Sequence, residues 1–134
     1  MDGYHMLTLI TLLTVFLMLW TGARVAMGRA KYGIKAPATT GNPDFERIFR
    51  VQMNTLENVA MFLPSLWLFG LYVSGLWAAV AGVVWLFGRV WYVLGYSAEA
   101  SKRGPGFGIG SLALVILAVG ALIGVVMQLV QGGV

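Results

Sequence analysis

The stretch FERIFRVQMNTLENVAMFLP, residues 45–64, decides the fold of this chain, because charged and amide side chains run without a break into an apolar segment. Only 10% of the 134 residues are charged, compared with about 25% in a typical soluble domain. This stretch nevertheless contains Arg50, Asn54 and Glu57. Because polar residues are costly in a membrane-type helix, their presence at its start predicts that they serve a function.

The composition restricts the chemistry of the chain. Hydrophobic residues make up 59% of it, and there is no cysteine. The mean hydropathy of +0.83 is that of an integral membrane protein. Without cysteine the chain has no disulfide framework, no thiolate nucleophile and no thiolate metal ligand. His5 is the single histidine, so no metal site is predicted. Any thiol chemistry therefore needs a thiol that is carried by a ligand.

Four stretches are long and apolar enough to cross a membrane, which requires about 20 residues for a hydrocarbon core of about 30 Å. They cover approximately residues 6–27, 45–73, 76–96 and 108–131. The glycine-rich GPGFGIG at 104–110 lacks the setting of a phosphate-binding loop and is predicted to be a loop before the fourth helix. The sequence thus predicts an all-α integral membrane protein, a single domain over residues 1–134 that forms a bundle of four transmembrane helices.

The basic residues predict the orientation in the membrane. All nine lie in or near the loops at 28–43 and 97–107, whereas the short second turn and both termini have none. Because cytoplasmic loops are enriched in Lys and Arg, both loops are predicted to be cytoplasmic and both termini to lie on the other side. This asymmetry accounts for the net charge of +4 without a nucleic-acid partner.

The second helix is predicted to carry one polar stripe. Asn42 as N-cap and Pro43 at the first position mark its start. At about 100° per residue, Asn54 and Glu57 project within roughly 40° of Arg50. Charged groups inside a membrane are costly when lipid surrounds them, so this stripe is expected to face protein or water.

The third helix brings a second polar face to the same end of the bundle. Arg89, Tyr92 and Tyr96 occur at i, i+3 and i+7. Two structural interpretations remain open: the tyrosines as anchors at the membrane interface, and Arg89 with Glu57 as an ion pair that joins two helices. The convergence of both stripes favours a pocket for a small anionic ligand with amine and amide groups.

Three sequence blocks carry a resemblance to a known family. They are TTGNPDFERIFRVQMNTLE (39–57), LFGRVWYVLGY (86–96) and SKR (101–103). With these blocks the chain resembles the MAPEG family, the membrane-associated proteins in eicosanoid and glutathione metabolism. It is most similar to the microsomal glutathione transferases and leukotriene-forming synthases. The resemblance implies a homotrimer with sites between subunits, open to the cytoplasmic side and to membrane lipid.

The resemblance also implies a glutathione site. Arg29 and Gln52 would approach the ligand at the interface with a neighbouring subunit, and Arg103 matches the catalytic arginine that holds the glutathione sulfur as thiolate. The residues implied to bind glutathione are Arg29, Arg50, Gln52, Asn54, Glu57, Tyr92 and Tyr96.

The implied chemistry is consistent with the cysteine-free composition. A free thiol has a pKa near 8.5, so a guanidinium that donates to the sulfur is expected to lower this pKa and raise the thiolate fraction. The thiolate then attacks a lipophilic electrophile, or the oxygen of a lipid hydroperoxide, that arrives from the membrane. Glutathione is the implied co-substrate, and no metal takes part.

Two departures and two alternatives qualify the resemblance. Ala30 replaces a second arginine of the leukotriene-forming synthases, which argues against leukotriene synthesis, and Asn58 replaces a tyrosine that contacts glutathione. The alternatives are a small four-helix transporter that exchanges protons through Glu57, and a non-catalytic lipid-binding member of the same family. Such members tend to lack the thiolate-holding arginine, so Arg103 favours catalysis.

Overall fold

Four helices and their connections make up the structure, a computed structural model that describes residues 2–98 and 104–132. The part described contains no strand. This all-α architecture is the one the sequence predicts. The helices are α1 (Asp2–Tyr32), α2 (Pro43–Tyr72), α3 (Gly75–Ala98) and α4 (Gly104–Val130).

The helices extend beyond several of the apolar stretches that predicted them. The prediction that 104–110 forms a loop is wrong, because α4 begins at Gly104. Hydropathy marks only the portion of a helix that is expected in hydrocarbon, whereas the backbone hydrogen bonds of a helix continue into the interface. Pro105 suits the first turn, where its missing N–H has no partner in any case.

Three of the four helices are long and apolar enough to cross a membrane, namely Tyr4–Tyr32, Gly75–Ala98 and Gly104–Val130. Helix α2 is long enough, but it does not reach the same mean hydropathy. Its polar residues, among them Asn54 and Glu57, interrupt the apolar run. The polar side chains that indicate a ligand-binding site therefore also lower the mean hydropathy of α2.

An N-cap marks the start of α2. Asn42 Oδ1 accepts hydrogen bonds from the backbone nitrogens of Asp44 at 2.9 Å and Phe45 at 3.2 Å. Pro43 follows at the first helical position. This N-cap satisfies backbone donors that have no partner within the helix. Because Phe45 is completely buried, the opening turn of α2 is anchored in the protein.

Helix α2 packs against each of the other three helices. In the middle of the bundle the rings of Phe62 and Trp85 stack with their centroids 3.8 Å apart. Trp85 Nε1 donates to Asn58 Oδ1 over 3.2 Å. Asn58 is therefore buried between α2 and α3, and the residue that departs from the synthase pattern bonds to the protein itself.

Helices α3 and α4 approach through glycine at the end where the polar stripes meet. A Cβ atom at Gly106 would lie 2.4 Å from the backbone nitrogen of Tyr92 and 2.7 Å from the carbonyl oxygen of Gly88. Both distances are below those that real Cβ atoms show, and both partners are backbone atoms that cannot rotate away. This contact sets the distance between the first turn of α4 and Tyr92.

Candidate functional site

A cavity of about 260 Å³ lies at one end of the bundle, between α2, α3 and the first turn of α4. It brings together four of the residues predicted to bind a ligand, two from α2 and two from α3. Helix α4 adds two more. The lining residues are Arg50, Asn54, Tyr92, Tyr96, Gly104 and Phe107.

Arg50 links this cavity to two others near the loop between α1 and α2. One of about 240 Å³ is lined by Pro43, Glu46, Arg47, Arg50 and Tyr96. The other, of about 220 Å³, is lined by Thr39, Thr40, Glu46, Phe49, Arg50 and Met53. Together the three form a polar region around one exposed guanidinium.

The charge of Arg50 is available to an anionic ligand. Arg47 pairs with Asp44 within the first turns of α2. Within residues 2–98 and 104–132, no carboxylate lies within 4.0 Å of the Arg50 guanidinium. A guanidinium can bind a carboxylate through two parallel hydrogen bonds. Arg50 is therefore placed to receive the carboxylate of a ligand in the cavity.

Behind the cavity lies Arg89, a buried arginine that is only 1% exposed. Its Nη1 and Nη2 atoms each donate to Asn54 Oδ1 over 3.0 Å. Nη1 also donates to the backbone oxygen of Asn54 over 3.4 Å. The suggested ion pair between Arg89 and Glu57 is wrong, because the Arg89 guanidinium donates to Asn54 and is not within 4.0 Å of the Glu57 carboxylate.

The two tyrosines lie inside the bundle. Tyr92 is 2% exposed and Tyr96 5% exposed, and their ring centroids are 5.5 Å apart. The Tyr92 ring also lies 5.8 Å from that of Phe107 and 4.3 Å from the Arg89 guanidinium carbon. The interpretation of these tyrosines as interface anchors is wrong, since an anchor contacts lipid headgroups and not the interior of a bundle.

Three of the residues predicted to bind the ligand do not line the cavity. Arg29 donates to the backbone oxygen of Ala38 over 2.7 Å, at the end of α1. Gln52 faces α1, where its Nε2 atom would be 3.3 Å from a Cβ at Gly22. Glu57 is exposed on the outer surface of α2. The described residues of this chain therefore bring together only part of the predicted site.

Arg103, the predicted catalytic residue, lies outside the described residues. Its sequence neighbour Gly104 lines the cavity. Sequence reasoning missed Phe107, because GPGFGIG was interpreted as a loop. Pro105 could have indicated that a helix begins here, because proline is common in the first turn of a helix. The Arg89–Asn54 contact was also missed, since sequence spacing on two helices does not give their relative register.

The described part of the chain is all-helical, with an apolar exterior and a cavity at one end that Arg50 lines, which is the architecture of a helical membrane protein. The sequence model of the MAPEG family matches residues 7–123, and the chain belongs to that family. Family membership and the three apolar helices together indicate an integral membrane protein.

Individual relatives support this assignment. The chain is 54% identical over 123 residues to an uncharacterized protein of Synechocystis sp., which covers 92% of this chain and 90% of that protein. It is 44% identical over 101 residues to human microsomal glutathione S-transferase 2, covering 74% of this chain and 68% of the human protein. Mouse leukotriene C4 synthase is 32% identical over 131 residues, covering 98% of this chain and 87% of the synthase.

Proposed function

We propose that this protein is a membrane-bound glutathione transferase that activates glutathione as thiolate and conjugates it to lipophilic electrophiles. The observation that carries the proposal is the cavity that gathers Arg50, Asn54, Tyr92 and Tyr96 at one end of the bundle. Two similar proteins are named for glutathione transfer and for leukotriene C4 synthesis, which supports glutathione as the thiol co-substrate.

Glutathione matches the chemistry of the cavity. It has two carboxylates, one ammonium and two amides, and the lining offers a guanidinium, an amide and two phenols. Arg50 binds a carboxylate, Asn54 pairs with an amide or carboxylate group, and the hydroxyls of Tyr92 and Tyr96 complete the polar contacts. Arg103 donates to the sulfur, which stabilises the thiolate over the thiol.

The same thiolate serves two reactions. In conjugation its sulfur forms a bond to an electrophilic carbon, whose leaving group or opened ring oxygen takes up the electron pair and then a proton. In hydroperoxide reduction the sulfur attacks the peroxide and the O–O bond breaks. A second glutathione then displaces the sulfur-bound oxygen, so two thiols yield one disulfide, an alcohol and water. We include lipid hydroperoxide reduction as a second activity of this site.

The functional assembly is a homotrimer of four-span domains with the site between protomers. Support comes from Glu57, an exposed carboxylate on a helix that sits among membrane spans. A charge on such a surface is unfavourable against lipid, so another protomer or a ligand is expected to cover it. In this arrangement Arg29 and Gln52 reach the ligand from a neighbouring copy. The site faces the cytoplasm and both termini lie on the opposite side in this proposal, which is supported by the basic residues in the two loops.

Glutathione binding and thiolate formation test the proposal directly. Purified protein in detergent is titrated with glutathione by calorimetry, and the ultraviolet absorbance of the thiolate is followed at neutral pH. We expect saturable binding with a stoichiometric thiolate signal, and turnover when a lipophilic electrophile is added. S-methylglutathione is the control, because it retains the peptide contacts but cannot ionise. Absence of both binding and thiolate would overturn the proposal and favour a lipid-binding or transport role.

Glu57→Gln separates the transferase from the proton-coupled transporter. In the transferase, Glu57 binds the ligand ammonium, and the loss of one charged hydrogen bond is expected to raise the Kd for glutathione about tenfold or more. Asp44→Asn is the control on the same helix, since Asp44 pairs with Arg47. We expect its Kd within about twofold of wild type. Proton-driven efflux in proteoliposomes that is lost in Glu57→Gln, with glutathione binding unchanged, would favour the transporter.

A further inference from the structure

We propose that Arg89 is a positioning residue that fixes the side-chain amide of Asn54 and so makes Asn54 a hydrogen-bond donor to the ligand. The ligand is the one of the proposed function, so this inference rests on glutathione binding. Arg89 itself does not line the cavity, whereas Asn54 does.

The orientation of the Asn54 amide follows from the chemistry of its partner. Both terminal nitrogens of Arg89 are 3.0 Å from the same atom, Asn54 Oδ1. A guanidinium has donors only, so the amide must present its oxygen to Arg89 and cannot flip. The two N–H bonds of Asn54 Nδ2 are then left for the cavity. The Asn54 Nδ2 group therefore selects a hydrogen-bond acceptor on the ligand, either a carboxylate or an amide carbonyl.

Arg89 makes further contacts besides those to Asn54 Oδ1. Its guanidinium lies 4.3 Å from the centroid of Tyr92 and 5.9 Å from that of Phe107. The contact to the backbone oxygen of Asn54 adds a third hydrogen bond from the same side chain. Arg89 thus connects the amide of α2 with two aromatic rings that line the cavity.

Bundle stability does not account for Arg89. Within the described parts of the chain no carboxylate lies within 4.0 Å of its nitrogens, and its buried Nε has no hydrogen-bond partner. A buried charge without a counter-ion is no more stabilising than an apolar side chain of similar size. The Trp85–Asn58 hydrogen bond already joins α2 and α3 one turn away. Orientation of the Asn54 amide towards a ligand gives a reason for a guanidinium at this position.

Arg89→Met removes the donors and retains the length of the side chain. Asn54 is then free to sample about three χ1 rotamers and two amide orientations, which makes about six arrangements in place of one. We expect the Kd for glutathione to rise by up to about sixfold. The kcat at saturating glutathione should change less than about twofold, while KM rises in parallel with Kd.

A double-mutant cycle distinguishes positioning from a general structural role. Glutathione Kd values are measured by calorimetry for wild type, Arg89→Met, Asn54→Ala and the double variant. If Arg89 acts through Asn54, Arg89→Met has no further effect once Asn54 is alanine. Additive losses would overturn the inference, as would a wild-type Kd for Arg89→Met. Absence of glutathione binding by wild type is a different result, because it removes the proposed function first.

Three further variants complete the test. Trp85→Phe removes the hydrogen bond from Trp85 to Asn58, which also joins α2 and α3, so we expect a lower unfolding midpoint with an unchanged Kd. Asn54→Asp still accepts from Arg89 but loses its donors, and we expect its Kd to rise about tenfold or more. Arg89→Lys replaces Arg89→Met in the cycle if the latter does not fold. The single ammonium of lysine cannot reproduce the two hydrogen bonds that the guanidinium donates to Asn54 Oδ1. The Kd of Arg89→Lys for glutathione should therefore lie between those of wild type and Asn54→Ala.

Discussion

Arg103→Ala is expected to abolish thiolate formation at neutral pH and to lower kcat about 100-fold, while glutathione still binds. A guanidinium next to the sulfur stabilises the anion relative to the neutral thiol, which is mostly protonated at this pH when unassisted. Removal of one donor from a reacting anion typically costs a factor of about 100 to 1000 in rate. The thiolate absorbance and single-turnover conjugation measure the two effects.

Lys102→Ala is the matched control, because it removes a neighbouring positive charge from the same SKR block. We expect it to retain the stoichiometric thiolate signal. If both variants keep the signal, Arg103 is not the thiolate-stabilising group and another cation of the site takes that role. If both lose it, the general positive potential of the loop matters more than a specific donor. Only the selective loss in Arg103→Ala agrees with the proposed mechanism.

Gly106→Ala is expected to separate the ends of α3 and α4 and to damage the site. The added methyl group would lie 2.4 Å from Tyr92 N and 2.7 Å from Gly88 O, and neither backbone atom can rotate away. Overpacking of this kind typically costs about 1–3 kcal/mol. We expect the unfolding midpoint to fall by roughly 5–10 °C. The Kd for glutathione should rise as well, because Tyr92 and Phe107 line the cavity.

Gly108→Ala is the control on the same helix. Gly108 is exposed, and a Cβ there would meet nothing within 4 Å. Alanine favours the helix over glycine by up to about 1 kcal/mol, so this variant should be as stable as wild type or more stable. Equal midpoints and equal Kd values for the two alanine variants would contradict the role of close backbone contact at Gly106.

In the proposed transferase, the choice of electrophile is expected to depend on residues that differ from those of the synthases. Ala30, which stands where those enzymes are expected to have a second arginine, is exposed at the end of α1. Alanine cannot protonate or polarise an epoxide oxygen, so we expect general transferase substrates to react and an epoxide that needs such an acid to react poorly. Asn58 does not compensate, since it is buried and accepts from Trp85.

The sequence by itself determined the helical class, the family and most of the polar stripe. Apolar length identifies membrane-type helices because the hydrocarbon core has a fixed thickness. Asn42 and Pro43 mark the start of α2, since capping is a local property of the backbone. The spacing of Arg50 and Asn54, and of Tyr92 and Tyr96, places each pair on one face because the helical repeat is constant.

Only the tertiary structure decided which faces meet. It paired Arg89 with Asn54 and left Glu57 exposed, although spacing alone allowed either partner. It buried both tyrosines and extended α4 back to Gly104, so that Phe107 joined the cavity. The physical reason is that the register and rotation of neighbouring helices depend on side-chain packing and close backbone contacts, such as the one at Gly106, and the periodicity of a single helix carries no information about them.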